Sequence, residues 1–397
     1  MRGEFGNPWH GIALAALVGL AAFAVYAPSI GYGFAPLDDE QFVQRNTLVE
    51  GGCSPAALAG AWTQTRENYW APLLWTSFML DVDLFGMEPR GFHAVNVALF
   101  ALNAAGFFWL VFRWTKGRSG VALAAALLWA LHPARVESVA WITERKDVLS
   151  GLFFLLGLGA YVEGRRGRLR AGTELAWACM ALGGMVKQSV IVMPGLLVLL
   201  DVWPLGRTTW SRLGRDGWRL ISEKWAFWLL GLALAAVPIW AHAQNEAIIR
   251  SSWSERLAMV PAHYLFYLWK TIWPVGLMPL HPDLPARPWT SAGGVALLGA
   301  VTWGLWRFRE RQPWALMGWL WFVAALFPFT GFVWAGEERV AMRLTYWPHA
   351  GLALLAALGG EAFVRGHRRR RSWAIAVCGL VLGAYGFQGQ RQLACWR

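Results

Sequence analysis

Long apolar runs separated by short polar stretches set the pattern of this chain. They lie at Trp9–Ile30, Gly91–Phe112, Gly120–Leu131, Val148–Tyr161, Leu175–Val186, Ser189–Leu200, Trp225–His242, Gly293–Trp306, Pro313–Phe329, Tyr346–Leu358 and Trp373–Phe387, and they predict 11 membrane helices. Several fall short of the roughly 20 residues that a straight crossing needs. Flanking residues must extend them, or loops must dip inward where protein surrounds their backbone. The first outer loop, residues 31–89, holds two segments that read as interfacial helices, Pro55–Trp62 and Trp70–Phe85, with Trp62, Trp70 and Trp75 as anchors. Leu257–Pro274 is also apolar, but counting it as a span would invert everything downstream. It reads as interfacial or re-entrant, within an outer segment at 244–290. Residues 132–147 form the second outer loop. The expectation is one all-α polytopic membrane domain over residues 1–397, with no internal repeat.

Composition agrees. Hydrophobic residues make up 56% of the 397, charged residues only 15%, and there are 28 Trp, a residue that collects at membrane interfaces. A β-barrel would show short alternating segments instead. The net charge of +12 raises nucleic acid, but the distribution argues for membrane topology. Segments 1–8, 113–119, 163–174, 201–224, 307–312 and 361–371 hold 21 of the 36 Lys and Arg and eight of the 24 acids. That is the positive-inside asymmetry, and the basic runs, including Arg368–Arg371, then touch anionic lipid. The N-terminus is expected in the cytoplasm and the C-terminus outside, in a bacterial inner membrane. Cys53 and Cys395 fall on the same outer side, where a disulfide is allowed.

Ionisable residues at a membrane boundary are costly and point to function. One island is Asp38-Asp39-Glu40, just after the first apolar run. Adjacent carboxylates raise each other's pKa, and one of them suits a general base for an acceptor hydroxyl. The same pair also suits a plain helix start. The second island runs from His132 to Asp147. It holds Arg135, Glu137, Glu144, Arg145, Lys146 and Asp147, which suit either phosphate binding or a helix-boundary ion-pair cluster. Lys187, Lys270 and Arg343 add cations on the same predicted face, though Lys187 and Lys270 could simply snorkel. Together they suit a lipid-linked phosphate leaving group. His132, His281 and His349 sit next to prolines and form no metal pattern. A divalent ion at Asp38 and Asp39 is the one metal site the residue types allow.

These residues, in order, resemble the membrane part of the transmembrane and tetratricopeptide-repeat-containing (TMTC) O-mannosyltransferases and their bacterial relatives, in the GT-C class of glycosyltransferases. The resemblance rests on Asp38-Asp39 after the first span and on Ser77 to Gly86 with Gly91-Phe92-His93-Ala94-Val95-Asn96. It also rests on His132-Pro133 to Val136-Glu137-Ser138-Val139-Ala140-Trp141 and Glu144-Arg145-Lys146-Asp147 through Ser150. Lys187, Pro194, Asp201-Val202-Trp203-Pro204-Leu205, Tyr267 to Pro274 and Arg343-Leu344-Thr345-Tyr346 complete the series. It departs from the family pattern at Leu37 (usually aromatic), Gln188 (often Pro) and Met342 (usually Asp).

The resemblance implies a GT-C bundle and inverting transfer of mannose or another hexose from a polyprenyl-phosphate donor. The acceptor is a hydroxyl, on a protein, at the extracytoplasmic face. It implies Asp38 as general base with Asp39 positioning or replacing it. Arg145, Lys146, Lys187 and Arg343 are then phosphate-binding, with Lys270 a weaker candidate. Glu137, Glu144, Asp147 and His132 shape the site. It implies no metal. The family's tetratricopeptide repeats are absent from this chain, so an acceptor-binding partner is expected if it is not a truncated form. The competing readings are a transporter or lipid flippase, which would show repeats, and a non-catalytic scaffold of the same fold.

Overall fold

The computed structural model describes residues 8–67, 69–243, 252–281, 287–331 and 340–397. Residues 1–7 of the first inner segment, and 244–251 and 282–286 of the predicted outer segment, lie outside the described residues. The helices run in the order α1 Pro8–Tyr26, α2 Pro55–Thr63, α3 Pro72–Phe85, α4 Pro89–Trp114, α5 Ser119–Ala130, α6 Arg135–Ala140, α7 Arg145–Arg165 and α8 Gly172–Gly184. They continue with α9 Met193–Val202, α10 Leu213–Ser222, α11 Trp225–Ala243, α12 Trp253–Ile272, α13 Pro288–Arg307, α14 Pro313–Leu326, α15 Pro348–Val364 and α16 Arg368–Ala394. Many start on proline, which is pre-set for the first helical turn and has no N–H to leave unpaired; α3, α4, α14 and α15 are examples.

All the apolar runs are helical, but they are not equal. Among the described residues, four helices are long and apolar enough to cross a membrane: Trp9–Gly31, Pro89–Trp114, Ile142–Arg165 and Arg368–Ala394. A fifth arises if α10 and the first part of α11, bent by 68° at their junction, count as one. The shorter apolar helices, such as the 12-residue α5, rise only about 18 Å. The 11 full crossings expected above are therefore not established. Leu257–Pro274 lies mostly within the 20-residue α12, which packs along α13.

α1 packs on α4, α4 on α5 and α7, α7 on α8, and α14 on α15. Small residues permit the closest approaches, as in membrane bundles generally. A Cβ on Gly351 would come within 2.5 Å of the Gly318 carbonyl oxygen. The outward faces of α1 and α16 carry exposed Leu17, Leu20, Leu380 and Phe387, as lipid-facing helices do. Cys53 and Cys395 are both free thiols, so the allowed disulfide is not formed.

The charged segments grouped by sequence meet at two ends. At one end, Arg113 pairs with Glu163 (2.7 Å), Arg118 with Glu361 (2.8 Å) and Arg207 with Glu223 (2.7 Å), and the Ser211 N–H donates to Glu310. At the other end lie the loop after α1, residues 132–147, Lys187 and Arg343.

Candidate active site

The site is built around a polar stretch that is almost entirely buried. Every residue from His132 to Val148 is buried, although loops normally run on the surface. Buried polar groups need partners, and here they come from distant elements.

Asp39 provides one attachment. It is fully buried. Its Oδ2 accepts from the Ala35 N–H (2.8 Å), and its Oδ1 accepts from the Thr143 N–H (2.8 Å) and hydroxyl (2.6 Å). These bonds strap the first outer loop onto the 132–147 stretch. Burial pushes the Asp39 carboxyl up, against the stabilising bonds from Thr143 and Ala35. Both of its oxygens accept hydrogen bonds within the protein. Asp38 beside it is half-buried. Among the described residues no cluster of three or more His, Cys, Asp or Glu has metal-site geometry.

The cations converge on two carboxylates of the second island. Glu144 Oε1 meets Lys146 Nζ (3.2 Å) and Arg343 Nε (3.4 Å), while its Oε2 meets Lys187 Nζ (3.2 Å). Lys187 Nζ also pairs with Asp147 Oδ1 at 2.6 Å, and the Ser138 hydroxyl donates to Asp147 Oδ2. Arg343 Nη1 donates to Glu137 Oε1, with its guanidinium 5.2 Å above the Trp141 ring. Lys146 lies over the rings of Phe42 and Tyr69. Three cations and three carboxylates thus hold one another in a poorly solvated place, where any one alone would be costly.

A small cleft opens on this network. Asp147, Lys187 and Arg343 line it on one side, and Val192, Phe329 and Trp347 on another. Cations beside apolar walls suit an amphiphilic anion.

Three expected site residues lie elsewhere. Arg145 turns away from the network. It pairs with Asp81 (2.5 Å), donates to Asn96 Oδ1 and to the Phe92 and Ser77 carbonyls, and stacks on Phe78. It bolts α7 to α3 and α4 and has no face toward the cleft. Lys270 donates to the carbonyls of Val275 and Gly276 and so closes the turn after α12. His132 accepts the Ala134 N–H at Nδ1 and meets the Thr271 carbonyl at Nε2. Burial, and then Arg135, push the His132 imidazole down to about 3, so it stays neutral and structural.

Arg135 is the residue whose role its sequence position did not reveal. It is fully buried and, among the described residues, pairs with no carboxylate. Its Nη2 donates to Thr345 Oγ1 (2.6 Å) and meets His349 Nδ1 (3.3 Å), and it lies over the Tyr346 ring. Burial pulls it down to about 10. Thr345 in turn donates to the Met342 carbonyl, so Arg135 braces the turn that carries Arg343. Its place in the charged island was the available signal.

Protein O-mannosyl-transferase Tmtc1 of Drosophila melanogaster is 34% identical over 211 residues, covering 49% of this chain and 24% of that protein. TMTC4 of Homo sapiens is 28% identical over 221 residues, covering 48% of this chain and 29% of its own length. The solved structure of ArnT from Cupriavidus metallidurans bound to undecaprenyl phosphate superposes with a TM-score of 0.51 at 15% identity, covering 96% of this chain and 75% of that one. The chain resembles a TMTC-like GT-C membrane domain. No family model matches it. It spans less than a third of the length of these two curated relatives.

The departures from the TMTC pattern now have places. Gln188 Nε2 reaches the Trp70 carbonyl at 3.4 Å, tying the Lys187 turn to the first loop. Met342, at the third departure, is buried, and Arg343 beside it pairs with Glu137 and Glu144.

Proposed function

We propose that the chain is a membrane glycosyltransferase that moves a sugar, mannose or another hexose, from a polyprenyl phosphate to an acceptor hydroxyl on a protein. The observation that carries this is the cleft in which Lys187 and Arg343 stand beside apolar walls. Its cations suit the phosphate, and its walls suit the start of the lipid. The TMTC relatives are named for O-mannosyl transfer, and the ArnT structure contains undecaprenyl phosphate.

In this reading Lys187 and Arg343 hold the phosphate, with Lys146 behind them. Glu144, Asp147 and Glu137 keep those cations in place before the anion arrives. The acceptor oxygen forms the new bond to the sugar's anomeric carbon, and the bond from that carbon to the phosphate oxygen breaks. Configuration inverts, because attack comes from the side opposite the leaving group. Polyprenyl phosphate departs with the bonding electrons, and its growing charge is met by the fixed cations. The acceptor proton passes to Asp38, while Asp39 holds the loop that carries it. The site end faces the extracytoplasmic side, opposite the Arg-rich end. No step requires a metal.

The test is transfer from polyprenyl-phosphate mannose to extracytoplasmic proteins of the same cell, with the purified chain in lipid. Transfer that survives exhaustive chelation and vanishes in Asp38→Asn is the expected result. Full activity of a folded Asp38→Asn protein would remove Asp38 as the base.

A further inference from the structure

The helix α10, Leu213–Ser222, divides its residues among three faces. Successive helical residues turn by about 100°, which puts Leu213 and Leu220 about 20° apart on one face. Leu220 is fully buried, and Leu213 packs against the core. Trp218 and Ile221 fall about 60° apart on a second face, and they are 80% and 42% exposed. Between these two faces, Arg212, Arg215 and Arg219 lie within about 60° of one another, and all three are exposed. Gly214 and Gly217 fall beside Ile221, and a Cβ on either would meet nothing within 4 Å.

The helix is held from its buried side and its ends. Lys224 Nζ donates to the Leu220 carbonyl (2.9 Å), the Thr208 hydroxyl to Asp216 (2.7 Å), and the Ser211 N–H to Glu310 (2.7 Å). Asp216 and Glu310 are engaged in these bonds, and Glu223 pairs with Arg207 at 2.7 Å. Arg219 lies 4.0 Å from Glu223 with 60% of its side chain exposed. α10 is bent by 68° from the first part of α11. With α11 read as a membrane crossing, α10 runs close to the membrane plane. Its apolar surface continues past the bend through exposed Trp225 and Leu229.

From this we infer that α10 is a binding site for an anionic glycerophospholipid of the leaflet on which it lies. Trp218 and Ile221 enter the acyl boundary, while Arg212, Arg215 and Arg219 hold the phosphate and the headgroup's net negative charge. An apolar face beside a cationic one suits an amphiphilic anion at an interface. Each guanidinium can give two parallel N–H donors to phosphate oxygens. A soluble anion would gain nothing from Trp218 and Ile221, and an apolar protein partner nothing from three arginines. Charge alone draws any basic segment toward an anionic surface. Here a fixed helix prefers an anionic lipid to a zwitterionic one with the same chains. The site is separate from the cleft beside Lys187 and Arg343 and does not depend on the glycosyl-transfer reading.

The experiment places the purified chain in nanodiscs of phosphatidylcholine and phosphatidylglycerol in equal amounts. A trace of either lipid carries a photoreactive group near its glycerol, and the cross-linked peptides are mapped. Phosphatidylglycerol should label residues 213–222 about tenfold more than phosphatidylcholine, less than three cations at an anionic surface can supply. Arg215→Gln combined with Arg219→Gln should bring the ratio within twofold, and Arg215→Lys combined with Arg219→Lys should keep most of it. Trp218→Ala should lower capture of both lipids and leave the ratio unchanged. These side chains are exposed, and thermal unfolding in the same nanodiscs checks that each variant is folded. Equal labelling by the two lipids would reduce α10 to an aromatic anchor and overturn the proposal. So would a preference that persists in the double Gln variant, or displacement of the label by glycerol 3-phosphate in solution. A folded protein with no label on residues 213–222 would place α10 away from lipid and overturn it as well.

Discussion

The two ends of α7 carry charge of similar density and differ in what that charge does. At the start of α7, Glu144, Lys146 and Asp147 join Lys187, Arg343 and Glu137 beside an open cleft. Its far end lies about 30 Å away, at 1.5 Å per residue. There Glu163 gathers Arg113, Arg166 and Arg168, while Asp201 gathers Lys224, Arg207 and the Tyr161 hydroxyl. Among the described residues, none of that far end lines the cleft beside Lys187 and Arg343. Ion pairing alone therefore does not mark a site. What distinguishes the first end is that paired cations also face open space with apolar walls.

Breaking one partner at each end tests this difference. Arg343→Gln should lower transfer at least a hundredfold, or about 2.7 kcal/mol of transition-state stabilisation, with weaker binding of undecaprenyl phosphate. Transfer within threefold of the unaltered protein would make the first end as structural as the second. Lys224→Met removes the 2.5 Å partner of buried Asp201, which keeps Arg207 and the Tyr161 hydroxyl, and should cost about 1–3 kcal/mol of stability. Thermal unfolding in lipid should show this, while transfer per folded molecule stays within threefold. A large loss of transfer with unchanged stability would give the far end a role in catalysis.

The comparison sharpens at Asp39, which joins the loop to the site. Asp39→Asn should cost about 1–3 kcal/mol, because one of its acceptors becomes a donor facing the Ala35 N–H. Burial raises the folded-state pKa of Asp39 above its ordinary 3.8. Its protonated form therefore contributes stability fully below 3.8, and that contribution is lost as pH rises through the folded value. Asp39→Asn should flatten this part of the stability–pH profile, and an unchanged slope would assign it to another group. Lys270→Ala should have the smallest effect, within about 0.5 kcal/mol on stability and within twofold on undecaprenyl phosphate binding. A tenfold weakening would bring Lys270 back into the site.

Much of this was legible before any coordinates. The apolar runs specify helices because burial is read over a single turn, and prolines mark their starts. The charge asymmetry sorted the loops into two groups, and contacts among those loops do form two ends. The order of motifs pointed to the TMTC relatives and the GT-C fold. The number of full crossings was less legible, since a 10- or 12-residue apolar helix reads the same whether it spans, bends or ends inside the protein.

What the sequence determined by itself is which segments are helical and which polar stretches carry costly charge. Only the tertiary structure decided where each charged side chain points. Arg145 and Lys146 are neighbours in the chain, but successive helical residues are turned by about 100°. One therefore enters the α3–α4 core against Asp81, and the other meets Glu144 over Phe42 and Tyr69. Arg343, far along the chain, reaches Glu137 and Glu144 because the packing of α14 and α15 carries its turn there. Burial and charge type are local properties of a sequence, but partnership is set by long-range packing, and a buried ion takes its role from its partner.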